Sequence, residues 1–188
     1  ELVKKGCNVY GIDVSKEMVN IAKKNVPAAK FKVASYLDEK IPNCTAITAI
    51  GEVFNYLFDD KVHLKTLINF FQRCFEALEK GGVFVFDIME FSKEIDHSRK
   101  GYKLGKNWTV ISENIEDKKT KTLRRIITSF MKVGKNYKRT DEVHKILLYE
   151  QSYIVESLKK IGFSVRIQKK YEKLNFRPGV SVYICKKN

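Results

Sequence analysis

The sequence is poor in the residues that build metal centres, disulfide frameworks and membrane spans. Its three histidines, His63, His97 and His144, are scattered, and no two fall at a metal-ligand spacing. The four cysteines, Cys7, Cys44, Cys74 and Cys185, form no Cys-x-x-Cys pair, and a chain of 188 residues does not need covalent staples. They are expected as reduced, mostly buried thiols. The Asn-x-Thr triplets at Asn43 and Asn107 then carry no glycosylation signal. No apolar run approaches the ~20 residues of a membrane helix. The charges of Glu1-Leu2-Val3-Lys4-Lys5-Gly6 are not followed by the apolar stretch of a signal peptide. Repeats and low-complexity segments are missing too. The expectation is one cytoplasmic domain, with at most a small appendage, as a monomer or homodimer.

Acidic residues are also scarce: 22 Asp and Glu stand against 36 Lys and Arg, for a formal net charge of +14. A surplus of that size can mark a nucleic-acid surface. Here, however, the cations come as scattered doublets such as Lys4-Lys5, Lys118-Lys119, Arg124-Arg125 and Lys186-Lys187, mostly at helix ends, turns and the C-terminus, where they read as solvated residues.

What is present is alternation. Residues 7–14 form a β-branched, apolar run ending in an acid. Ser15 follows as an N-cap, Glu17 suits the helix dipole, and a helix with Met18, Ile21 and Ala22 on one face runs to Pro27. Strands are expected at Phe31 to Ala34 and Ala46 to Ile50. A long helix is expected from about Lys61 to Leu78, because Leu64, Leu67, Ile68, Phe71, Cys74, Phe75 and Leu78 follow helical spacing, with Gly81-Gly82 as its C-cap. Val83 to Asp87 then reads as a strand buried on both faces. This pattern predicts an α/β fold with a doubly wound, mainly parallel sheet. Residues 91–105 read as a loop. Three runs around Trp108–Ser112, Leu123–Phe130 and Val143–Tyr149 follow without a helix between them, which predicts an antiparallel meander. A helix over Ser152 to Ile161, ended by Gly162, and strands at Ser164 to Gln168 and Val180 to Cys185 close the chain. Residues 1–90 and 150–188 are thus read as a core, and 106–149 as an insert roofing it.

The most informative stretch is Gly11-Ile12-Asp13-Val14-Ser15. An acid at the carboxyl end of a strand, beside a helix start, lies in the crevice where open α/β sheets bind ligands, and its carboxylate can accept two ribose hydroxyls. Capping the helix is the competing role. The whole segment from Glu1 to Lys24 resembles the class I S-adenosylmethionine-dependent methyltransferases, from the end of their first helix through the second. Val33-Ala34-Ser35-Tyr36-Leu37, Ile50-Gly51-Glu52-Val53-Phe54-Asn55-Tyr56-Leu57 and Leu78-Glu79-Lys80-Gly81-Gly82 continue the resemblance in order, and the late meander is similar to small-molecule members with a strand insert. The resemblance implies a Rossmann-like fold and S-adenosyl-L-methionine as cofactor. It implies Asp13 on the ribose, Val14 and the Ser35-Tyr36 pair near the adenine, and Gly51 and Glu52 along the methionine part.

The family's first strand and its glycine-rich loop have no counterpart here. In the family that strand is central, and omitting it leaves two rows of backbone groups unpartnered. The resemblance therefore implies roughly 35 to 50 further residues upstream in the natural protein.

Methyl transfer from a sulfonium is a direct displacement that proximity and alignment can drive, so no catalytic triad is expected and no catalytic residue is assigned. For a small-molecule acceptor the pocket candidates are Asn55, Tyr56, Asp87 and Met89 at strand ends, and Arg125, Tyr137 and His144 from the insert. Trp108 is expected to pack the meander onto the sheet. Arg125 can hold an anion, but the neighbouring Arg124 points to the opposite face, and the sequence leaves open which of them faces inward. The alternatives are an RNA or other nucleic-acid methyltransferase, and a non-catalytic binding fragment.

Overall fold

Ser15 starts the first helix as expected: its hydroxyl accepts the Met18 N–H at 3.1 Å, and Glu17 stands in the first turn. In the computed structural model, which describes residues 1–59, 62–171 and 174–188, this helix belongs to the first of two compact units, Glu1–Pro42. The unit is one β-α-β element: β1 (Tyr10–Asp13), α1 (Lys16–Asn25) and β2 (Lys30–Val33), with the strands parallel. The helix face differs from the expected one. Val19 is buried, whereas Met18 and Ile21 are exposed. A sheet of two strands is too narrow to cover more than one stripe of a helix. Gly11 is required by close approach, since a Cβ there would lie 2.8 Å from the Phe31 ring.

The second unit, Asn43–Asn188, contains two four-stranded sheets. The first has the order β3-β4-β12-β9 and is built from β3 (Cys44–Ala49), β4 (Leu78–Met89), β9 (Phe163–Gln168) and β12 (Val180–Lys187). Its β3·β4 pair is parallel, and the pairs β4·β12 and β12·β9 are antiparallel. The α/β fold is as expected, and within it this sheet is mixed, with one parallel and two antiparallel pairs. The last two strands follow one another without an intervening helix, and such neighbours pair antiparallel. Helices α2 (Leu64–Ala77) and α3 (Gln151–Ile161) flank it in sequence. His63 caps α2: its ring nitrogen accepts the Thr66 N–H, and the Thr66 hydroxyl accepts the His63 N–H. The expected start at Lys61 lies outside the described residues. The buried face of α2 is Leu67, Phe70, Phe71, Cys74 and Ala77.

Gly81-Gly82 does not cap that helix. The helix ends at Ala77, and Leu78 already opens β4. Cys44 pairs with Leu78 and Ala46 with Val83, so Glu79–Gly82 bulges out of the ladder, with Gly81 at φ +81°. Phe54, on a 3-10 turn over Val53–Asn55, sits among the rings of Phe70, Phe71, Phe84 and Phe86 at 5.4 to 6.2 Å, and Tyr183 stacks on Phe86 at 4.9 Å. This aromatic cluster is the centre of the core.

The second sheet is an antiparallel meander of four strands, not three: β5 (Arg99–Gly105), β6 (Trp108–Asp117), β7 (Thr122–Val133) and β8 (Asn136–Leu147). The expected loop over 91–105 thus ends in a strand. Short strands β10 (Lys170–Tyr171) and β11 (Leu174–Asn175) form a hairpin before β12. No helix among the described residues is long and apolar enough to cross a membrane.

The four thiols are free. Cys74 and Cys185 are buried, Cys44 is half-buried and Cys7 is exposed, so burial holds for fewer of them than expected. Burial pushes the Cys185 thiol up to about 12 and that of Cys74 higher still. A thiol-reactive dye is expected to label Cys7 in seconds to minutes and to reach Cys74 and Cys185 only on unfolding. Equal labelling rates in the native protein would contradict this burial.

Candidate functional site

The second unit holds a cavity of about 380 Å³ lined by Gly51, Glu52, Asp87, Arg99, Ser112, Asn114, Arg125, Phe176 and Arg177. Its floor is the turn after β3. Gly51 and Glu52 both adopt the left-handed backbone region, at φ +98° and +60°. Glu52 pays a small strain for this, which the buried Asp87 at the end of β4 offsets. Both Asp87 carboxylate oxygens accept the Gly51 N–H at 3.0 Å, one of them also accepts the Glu52 N–H, and the Tyr171 hydroxyl donates to the other at 3.1 Å. Burial and the Asp87 charge push the Tyr171 phenol well above its ordinary value, so it stays a donor.

Held in this way, the Glu52 side chain meets two guanidinium groups. One oxygen accepts from Arg125 Nη2 at 2.9 Å and the other from Arg177 Nη2 at 2.6 Å. Arg125 also donates to the Tyr56 hydroxyl at 2.8 Å and to Asn114 Oδ1 at 3.3 Å. Burial alone would lower the Arg125 pKa, but Glu52 and Tyr56 outweigh it and hold the guanidinium above its usual value. Arg177 goes the other way: burial lowers it, and Arg99 and Arg125 add to that against Glu52.

The wall is set by register. Arg99 pairs with Asn114, Asn114 with Arg125 and Arg125 with His144, one row across all four strands of the meander. Directly opposed residues project from the same face, so this row fixes Arg125 as the inward arginine and leaves Arg124 exposed. His144 belongs to the same face but does not line the cavity; it lies edge-on to Tyr56 at 5.5 Å and 3.1 Å from Glu142. Tyr137 projects from the opposite face of β8, is exposed, and does not reach the cavity. Trp108 is partly exposed and lies over Gly105 at the start of β6.

Two other candidates are structural. Asn55 is fully buried and its amide is saturated: Nδ2 donates to the Met89 and Leu147 carbonyls at 2.9 and 2.6 Å, and Oδ1 accepts the Met89 N–H at 2.9 Å. Met89 is buried in an apolar cluster with Leu123, Ile146, Leu148 and Val180, and only its sulfur meets the site, 3.9 Å from Arg177. Sequence reasoning passed over Arg99, Asn114, Phe176 and Arg177. His97 lies in the loop before β5, as expected, with its ring buried 2.9 Å from the Glu90 carbonyl oxygen.

In the first unit, Asp13 ends β1 with its carboxylate exposed. One oxygen accepts the Ser15 N–H at 2.8 Å. Val14 beside it is exposed. The Ser35 hydroxyl oxygen accepts the Leu37 N–H at 3.1 Å, closing a local turn, and Tyr36 is buried. Among the described residues no group of His, Cys, Asp and Glu is placed to hold a metal ion.

The topology is that of known enzymes. Residues 1–86 match the protein family described as a methyltransferase domain. The chain has a class I methyltransferase fold. An S-adenosylmethionine-dependent methyltransferase from Clostridium acetobutylicum ATCC 824 is similar at 22% identity and a TM-score of 0.77, over 96% of this chain and 75% of that one. The amino pentose methyltransferase CalS10 from Micromonospora echinaspora, solved with its cofactor bound, gives 13% identity and a TM-score of 0.76 over 96% of this chain and 74% of that one. The sugar N-methyltransferase KedS8 from Streptoalloteichus sp. gives 14% and 0.75, over 95% and 70%. No curated protein matches the chain. Within this methyltransferase fold, the cavity lies between the carboxyl ends of β3 and β4 and one face of the meander, where open α/β sheets carry their ligands.

Proposed function

We propose that the protein transfers a methyl group from S-adenosyl-L-methionine to a small-molecule acceptor, with the meander as lid. The observation that carries this reading is the cavity of about 380 Å³ at the strand ends, walled by the meander and large enough for one small molecule. The solved relatives, which include sugar and amino pentose methyltransferases, favour the same class of acceptor.

The residues of the first unit fit the cofactor. Asp13 ends a parallel strand with an exposed carboxylate that engages one backbone N–H, which leaves acceptor capacity for a pair of ribose hydroxyls. Val14 offers an exposed apolar surface for an adenine ring. When bound, S-adenosylmethionine supplies the methyl group and its own thioether leaving group. The task left to the chain is to hold the acceptor in line and keep water out, for which the fixed Glu52, Arg125 and Arg177 network is suited.

Calorimetry with S-adenosylhomocysteine tests the reading. One molecule is expected to bind, and Asp13→Ala is expected to weaken binding about tenfold or more, roughly 1.4 kcal/mol. No binding to the wild-type chain would remove the enzyme reading and leave a binding module in its place.

A further inference from the structure

The hydrogen-bonding groups around the cavity are unbalanced. All four carboxylate oxygens, two on Glu52 and two on Asp87, already accept a hydrogen bond from the protein. The donors are not so well occupied. Arg125 uses Nε, Nη1 and Nη2 once each, out of the five N–H groups a guanidinium carries. Arg177 donates to Glu52 and touches the Met89 sulfur. Arg99 lines the cavity and makes no ion pair among the described residues. Three cations thus face two anions that are already paired, and they crowd one another enough for Arg99 and Arg125 to lower the Arg177 pKa. A ligand that fits such walls brings acceptors and negative charge. One that brings an ammonium group meets three guanidinium groups without a free carboxylate to pair with.

We infer that the cavity takes an acceptor bearing a carboxylate or phosphate group, received by Arg99 together with the spare donors of Arg125 and Arg177. Planar guanidinium groups suit both anions, since each can be held by two parallel N–H···O bonds. That this anion is a methyl acceptor rests on the function proposed above, but the anion site does not.

The test compares four sugars of similar size against the full chain at low ionic strength, by calorimetry without any cofactor: glucuronate, glucose 6-phosphate, glucose and glucosamine. One or both anionic sugars are expected to bind, with glucose weaker by about tenfold or more and glucosamine weaker still. Added salt should reduce the difference. Arg99→Gln, at an exposed position with no ion pair among the described residues, should leave the unfolding midpoint in place and weaken the anionic sugar about tenfold. If both anions fail to bind at tens of millimolar, if glucosamine or glucose matches them, or if Arg99→Gln changes nothing, the anion site is overturned. Failure of S-adenosylhomocysteine to bind, with the anionic sugar still held, would instead sink the methyltransferase reading and leave this one standing.

Discussion

Asn55→Ala is expected to lower the stability of the protein by about 3–4 kcal/mol. The side chain is fully buried and makes three hydrogen bonds, all to backbone. Two tie it to Met89 at the end of β4, and one ties it to Leu147 at the end of β8, so the single amide couples the mixed sheet to the meander. Alanine leaves one buried N–H and two carbonyls without that partner, at about 1–3 kcal/mol for each group that water cannot reach. The adjoining contacts, Leu57 N–H to the Lys145 carbonyl and the Tyr56–Ile146 bridge, lie on the same seam and should loosen with it. Asn55→Asp does not rescue the loss, because a carboxylate would face two carbonyl oxygens. Urea denaturation measures the first effect, and hydrogen exchange at Leu147 and Met89 measures the second. A loss below about 1 kcal/mol, with protection unchanged along β8, would show that the meander is held by something else.

Elements that depend on neighbours in sequence were legible before any coordinates. The Ser15 cap, the acid ending β1, the strand after the glycine pair, the end of α3 at Gly162 and the strand runs of β6 to β8 all follow from local pattern. What escaped depended on pairing. Strand β5 (Arg-Lys-Gly-Tyr-Lys-Leu-Gly) is an edge strand exposed along most of its length, so no hydrophobic alternation marks it. Its Arg99 joins the site only because the ladder sets it opposite Asn114, and Asn114 opposite Arg125. Tyr137 was misdirected for the same reason. On a strand, each step of one residue reverses the face, and Tyr137 lies an odd number of residues from His144. The glycine pair after α2 looks like a cap in sequence. In the structure it forms a bulge, where a Cβ on Gly82 would lie 2.8 Å from the Glu79 carbonyl oxygen. Asn55 and Met89 are polar-strand-end and apolar-strand-end candidates by position, and only burial separates their roles from that of Glu52.

Glu52→Gln should then dissociate two properties of the site, stability and anion affinity. The substitution keeps length and backbone demands, including the left-handed φ of +60°, so strain is the same in both proteins. What changes is the pairing of Arg125 and Arg177, whose side chains are 14% and 23% exposed around a Glu52 that is 16% exposed. Breaking a fully buried pair costs about 3–5 kcal/mol, and the residual exposure here brings the expected loss to about 2–3 kcal/mol. The glutamine oxygen can still accept from one arginine, but its NH₂ group faces the other donor and cannot accept. A double-mutant cycle with Arg125→Met should show a coupling of about 1–2 kcal/mol, as expected for groups in one network. Anion binding should move the opposite way. With the carboxylate gone, two guanidinium groups gain free donors and the cavity gains positive charge, so an anionic sugar should bind several-fold more tightly to the less stable protein. A variant that loses stability and anion affinity together would mean that Glu52 holds the arginines in their receiving positions, and that its order at the site outweighs its charge.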